Sequence, residues 1–190
     1  MSALYHENIY FNGEDFTQSS FTPGEYEQCQ FVQCNFSGIS LALVRFVDCV
    51  FEGCNLSNVK LSQTAFRDVQ FKQCKMLGLL FDNCQPFGLS FSFMDCNLNH
   101  SSFYGAGIKK TMFRNCQLQE VDFSGSDLSE AIFEECNLLG AIFSNTNLQK
   151  ADLATAVDYT IDPTANRLKK ARFGILGLPG LLRRFDIVVK

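Results

Sequence analysis

The stretch Val121-Asp-Phe-Ser-Gly-Ser-Asp-Leu-Ser-Glu-Ala-Ile-Phe-Glu-Glu-Cys-Asn-Leu-Leu-Gly140 carries a large apolar residue at every fifth place: Phe123, Leu128, Phe133 and Leu138. A period of five matches neither the helix at 3.6 nor the strand at 2.0. It demands a unit that turns a corner every five residues, as a solenoid of square coils does. Working outward in both directions, the same frame runs from Phe11 to Phe81 and resumes from Phe93 to Leu153. Of its 28 central positions 16 are Phe and 9 are Leu, and the chain has 20 Phe in all, so the repeat makes nearly the whole aromatic excess.

The residue two before a central one is usually small or β-branched, as at Cys29, Val44, Thr64, Ala106, Ala131 and Ala151. Positions two apart on an extended segment share a face, so each pentapeptide points one large and one small side chain inward. Two residues after the centre stand Gly13, Gly38, Gly53, Gly78, Gly105, Gly125 and Gly140, with Asn58, Asn83 and Asn145. Gly and Asn best tolerate the positive φ that a type II turn needs at its third residue. The corners are therefore written into the sequence.

All nine cysteines occupy the small inward position, and Cys34, Cys54, Cys74, Cys96, Cys116 and Cys136 recur about once per four pentapeptides. The one irregular step, 22 instead of 20, places a two-residue register insertion within residues 82–92 of an otherwise continuous rod. Metal binding does not fit: there is no Cys-x-x-Cys pair, and only His6 and His100 could assist. An odd cysteine count and the lack of a secretory signal argue against a disulfide framework. Small apolar core filling and a reducing, cytoplasmic setting are the expectation. Both histidines read as exposed bystanders.

No apolar run reaches the length of a membrane span. Residues 1–157 carry 17 acids against 9 bases, whereas residues 158–190 carry 3 against 7. The sequence therefore divides into a solenoid, 1–157, and a C-terminal helical cap and dimerisation tail, 158–190. Asp162-Pro163 reads as a helix start, with a short basic helix through Asn166–Arg172. The apolar tail beyond it must cover the open last coil, since a solenoid end exposes core and strand edge. Leu178, Leu181, Leu182, Phe185 and Ile187 form the candidate homodimer seam. No catalytic constellation, phosphate loop or cofactor motif is present, and an enzyme is not expected.

The segments Val121–Gly125, Ser126–Glu130, Cys136–Gly140, Thr146–Lys150 and Ala151–Thr155 resemble the pentapeptide repeat consensus A-(D/N)-L-x-x. That resemblance implies an all-β solenoid, a right-handed quadrilateral parallel β-helix of about seven coils here, with a short C-terminal α-helical segment. The short rod and its ending, Ile161-Asp-Pro with Asn166-Arg-Leu and the apolar tail, further resemble the Qnr group and related immunity proteins. Their properties imply a homodimer joined through the tail and a DNA-mimicking rod. Such a rod binds DNA gyrase or topoisomerase IV, regulates it, and confers fluoroquinolone resistance or immunity to a gyrase-targeting toxin. No direct nucleic-acid or membrane binding is implied. A structural or scaffold module with an unrelated partner is the alternative. Glu120, Asp122, Asp127, Glu130, Glu134 and Glu135 form the candidate gyrase-facing patch. Charge argues against a full mimic, because DNA as long as a rod of about 35 Å bears about 20 phosphates. The chain also lacks the long projecting loops of several Qnr relatives, which favours binding or inhibition over drug protection.

Overall fold

A computed structural model describes residues 4–188; residues 1–3 and 189–190, at the ends of the two expected segments, lie outside it. The chain winds into a four-sided parallel solenoid in which one coil takes 20 residues. One face is a nine-stranded parallel sheet running from Tyr10–Asn12 through Met112–Arg114 to Arg172–Phe173. The preceding face opens as a four-stranded parallel sheet, Leu4–Glu7, Gly24–Glu27, Arg45–Val47 and Ala65–Arg67. We call these the second and first faces. The third face is laddered by single bridges such as Asn35 to Asn55 and Gln117 to Asn137, and the fourth by Ser102 to Asp122 and Asp122 to Ile142.

The five-residue frame produces this shape because its central residues all point to the axis. Phe11, Phe31, Phe51, Phe71, Phe93, Phe113 and Phe133 stack along the second face with ring centroids 4.7 to 5.3 Å apart. On the fourth face Phe81, Phe103, Phe123 and Phe143 do the same at 4.4 to 5.4 Å. Rings on opposite faces meet edge-on across the axis, as Phe113 and Phe123 do at 79°. Parallel-offset and edge-to-face contacts are the two favoured aromatic geometries, so square packing of Phe satisfies both at once.

The small inward residues close the remaining gaps and donate to carbonyl oxygens of the preceding coil. Cys49 donates to Tyr26 O, Cys54 to Phe31 O, Thr64 to Leu41 O and Thr146 to Phe123 O. Each donor lies 23 residues after its acceptor, so sulfhydryl and hydroxyl do one job. All nine cysteines are free and buried. Burial pushes the Cys34 thiol up to about 11 and the Cys49 thiol up to about 12.

The corner glycines have positive φ, from Gly13 at 70° to Gly140 at 71°. The same corner is held by residues with a Cβ, among them Gln33, Leu43, Lys110 and Glu130. Asn83 departs from expectation: it lies in a 3-10 turn, Phe81–Asn83, and is not a positive-φ corner. The register insertion sits just beyond it. Gln63 N still bonds Asn83 O, whereas Val69 pairs with Phe91, so the extra residues fall in the loop at 85–90 on the first face.

Two expectations are corrected at the C-terminal end. The basic segment 166–172 is not a helix but part of one more coil, so the stack is longer than seven coils. Arg167 bridges Asn147, and Arg172–Phe173 pairs with Asp152–Leu153. The reason is visible in the frame itself, since Leu168 and Phe173 fall 15 and 20 residues after Leu153. Asn166 takes the inward small position and donates to Phe143 O and Asp162 O. Asp162 accepts from the Thr164 amide, as an N-cap would, but the chain turns into the next rung. The only α-helical turn among the described residues is Pro179–Leu182, flanked by 3-10 turns. At the other end His6 is no exposed bystander: it is half-buried and stacks on Tyr26 at 4.5 Å.

Candidate protein-interaction surfaces

With every frame position turned inward, only three residues of each pentapeptide face outward, and chemistry must be sought in those columns. Six acidic residues close in sequence, Glu120, Asp122, Asp127, Glu130, Glu134 and Glu135, do not form one patch. They span a single coil and so encircle the rod. Asp122 lies on the fourth face, Asp127 on the first and Glu134 on the second, while Glu120, Glu130 and Glu135 occupy corners. Three of them are paired with a base, Asp127 with Lys109, Glu130 with Lys150 and Glu134 with Arg114, and Glu120 lies 3.1 Å from the His100 ring nitrogen. Arg114 Nε donates to Glu134 Oε2 at 2.7 Å, a pair that the cross-strand register sets side by side. Asp122 and Glu135 are in no ion pair among the described residues. Exposed pairs of this kind add little stability, but they cancel the field that a phosphate-like surface would need.

The candidate seam in the tail divides in two. Leu181 packs on the core from the inside, and Leu182 is half-buried. Leu178, Phe185 and Ile187 are exposed, and so are Ile175 and Leu176. The segment closes the last coil by close backbone approach. Ile161 N donates to Gly180 O, and a Cβ on Gly177 or Gly180 would collide with Tyr159. Arg184 pins this cap by pairing with Asp162. Backbone and side-chain donation from Thr164, with Arg184 beside it, holds the Asp162 carboxyl below the usual carboxylate range.

Sequence order also concealed a polarity of the first face. Its outward acids, Glu7, Glu25, Glu27, Asp48 and Asp68, lie toward the N-terminal end, with Arg45 and Arg67 among them. Toward the C-terminal end stand Lys109, Lys110, Lys150, Arg167, Lys169 and Lys170, against Asp127 and Glu130. Sorting charges by their place in a 20-residue coil would have revealed this; counting them along the chain does not.

The grooves along the rod are shallow. The one between Ala154–Asp158 and Gly174–Gly177 offers only Asp158 as a titratable side chain. Among the described residues no cluster of three or more His, Cys, Asp or Glu is arranged to hold a metal ion, and no helix is long and apolar enough to cross a membrane.

A rod of this kind, with a filled core and regular outward columns, defines a class: the quadrilateral parallel β-solenoid. The chain belongs to the pentapeptide repeat family; the family description "Pentapeptide repeat region" matches residues 24–92 and 70–143. No curated protein sequence matches it. Among solved structures it is similar to a trypsin-treated form of QnrB1, a plasmid-mediated fluoroquinolone resistance protein, at 20% identity and a TM-score of 0.49, covering 96% of this chain and 99% of that one. Full-length QnrB1 is 22% identical with a TM-score of 0.38, covering 97% and 100%. HetL, a pentapeptide repeat protein involved in heterocyst differentiation regulation in the cyanobacterium Nostoc, is 16% identical with a TM-score of 0.39, covering 92% and 86%.

Proposed function

We propose that this chain is a non-enzymatic binder and regulator of a type II topoisomerase, DNA gyrase or topoisomerase IV, acting in the cytoplasm as a homodimer joined through its tails. The observation that carries the reading is the C-terminal end of the rod. Leu181 seals the core there, while Leu178, Phe185 and Ile187 remain on the outside. Exposed apolar residues grouped at one end favour burial against a second surface, and joining two ends makes one rod of double length. The likeness to DNA then rests on the shape of that rod. Its charge is too sparse and too thoroughly paired for a phosphate-like field, so contact with a basic saddle falls to carboxylates such as Asp122 and Glu135. Relief of fluoroquinolone or toxin poisoning would follow from competition with DNA for that saddle.

The test is a gyrase supercoiling assay titrated with the protein, with and without a fluoroquinolone. Inhibition of supercoiling, or fewer drug-stabilised cleaved complexes, is the expected result, weakened when Asp122 and Glu135 are both changed to Lys. No effect on either readout at tens of micromolar would overturn the proposal. The paired charges then favour the second reading, a scaffold module with an unrelated protein partner.

A further inference from the structure

The first face carries a second, independent surface. Its rungs centre on His6, Tyr26, Phe46 and Phe66 toward one end and on Ile108, Leu128, Leu148 and Leu168 toward the other. Between these two sets of four lies the loop at 85–90, so the loop marks the midpoint of the face. At its tip Phe87 is 79% exposed, with the Arg67 guanidinium 5.8 Å from its ring. Covering that ring with a second surface would remove its apolar area from water.

Internal ion pairs leave a polar remainder on either side of Phe87. Glu25 is taken by Arg45, Asp127 by Lys109 and Glu130 by Lys150. On the N-terminal half the side chains outside these pairs are Glu7, Glu27, Asp48 and Asp68 with one base, Arg67; on the C-terminal half they are Lys110, Arg167, Lys169 and Lys170. The face is thus acidic at one end, basic at the other and aromatic at the centre.

We infer that this face pairs with the same face of a second copy of this chain, the two rods lying side by side and antiparallel. A two-fold axis through the loop brings each patch onto its complement, as an isologous interface requires. Glu7 then lies opposite Arg167, Lys169 and Lys170, and Asp68 opposite Lys110, while Glu27 faces the rung of Lys150, which Glu130 holds. The two Phe87 rings meet on the axis, a central aromatic anchor within a charged rim. One like-charge opposition, Asp48 facing Glu130, is reduced because Lys150 already neutralises Glu130. A parallel arrangement would set acid on acid and base on base along the whole face, which disfavours it. The surface is distinct from the tail seam and does not depend on the topoisomerase reading.

The experiment is sedimentation of the full chain in a background carrying Phe185→Asp and Ile187→Asp, which disables the tail seam. A dimer at low salt should dissociate as salt rises, since exposed charge pairs are screened. Phe87→Ala should weaken it about tenfold. Two charge variants isolate the geometry: Glu7→Lys, Glu27→Lys, Asp68→Lys makes the face basic throughout, and Arg167→Glu, Lys169→Glu, Lys170→Glu makes it acidic. Each alone should be monomeric, and the two mixed should form a heterodimer, a rescue that misfolded variants could not give. Because the native cysteines are buried, Phe87→Cys should form a disulfide-linked dimer across the axis under oxidising conditions. Monomer at low salt, no heterodimer on mixing, or a dimer that Phe87→Cys does not crosslink would each overturn the inference.

Discussion

The coil at 121–140 and the coil at 158–173 share one frame and differ in how completely they fill it. In the first, Phe123, Leu128, Phe133 and Leu138 are buried, and so are the inward partners Val121, Ser126, Ala131 and Cys136. In the second, two central places are taken by Asp158 and Pro163, both exposed, while Leu168 and Phe173 are only half-buried. Ladder bonds run on from Leu138 N to Val157 O, from Leu148 N to Arg167 O and from Arg172 N to Ala151 O. Backbone pairing therefore carries the coil past the exposed Asp158, while Tyr159 and Ile161 supply its buried side chains and the cap covers what Leu168 and Phe173 leave open. In a one-dimensional stack each coil depends on its neighbours, so the end coil is where stability should be lowest.

The largest effect should come from emptying the filled region. Phe113 is wholly buried and stacks between Phe93 and Phe133 at 5.2 and 5.0 Å. Phe113→Ala should cost about 3–5 kcal/mol of unfolding free energy in urea titrations. Phe173 lies half-buried in the end coil, so Phe173→Ala should cost roughly 1–2 kcal/mol. Equal losses at the two positions would erase the distinction between body and end. A smaller, local effect should follow Gly180→Val, whose side chain collides with Tyr159 and lifts the cap. Tail amides should then exchange faster, while the main unfolding transition moves by less than about 1 kcal/mol. A large shift of that transition would mean that the cap governs the whole rod.

The difference between the two coils also explains what could be read from the sequence. A period of five placed the central residues of the body on the axis and most of their small partners beside them, because identical rungs repeat identical contacts; Leu79 and Phe91 are large side chains at small-partner places. The end coil escaped notice because Asp158 and Pro163 interrupt the apolar frame, although Leu168 and Phe173 resume it on register. Asp162-Pro163 carried a genuine side-chain to backbone signal, but the same Asx bond starts a turn as readily as a helix, and ladder pairing decided between them. The surface was harder still. Residues 120–135 are neighbours in sequence yet point around the rod, whereas Glu7 and Glu27, 20 apart, lie on adjacent rungs of one face. In a solenoid, sequence proximity is a poor guide to surface proximity, and the charge count alone hides both the pairing and the polarity.

The smallest predicted effect tests what holds the end coil closed. Asp162 joins the two parts of that end: it accepts from the Thr164 amide and hydroxyl in the coil and pairs with Arg184 in the cap. Those bonds favour its charged form and lower its folded-state pKa below the usual value. The sign follows from linkage. A carboxylate depressed on folding stabilises fully above its unfolded pKa, and that contribution is lost as pH falls through the folded one. Protection of the cap should therefore be flat from neutrality down to the ordinary carboxylate range and should decline below it. Hydrogen exchange of the amides in residues 180–185, normalised to amides of the body at the same pH, removes the intrinsic pH dependence of exchange. Asp162→Asn retains an acceptor for the Thr164 amide but loses the charge, so its cap should be weaker at neutral pH and nearly indifferent to acid. An unchanged ratio between neutral and acidic pH in the parent chain would show that the cap is held by Leu181 and the glycine contacts on Tyr159, with the Asp162–Arg184 pair adding nothing.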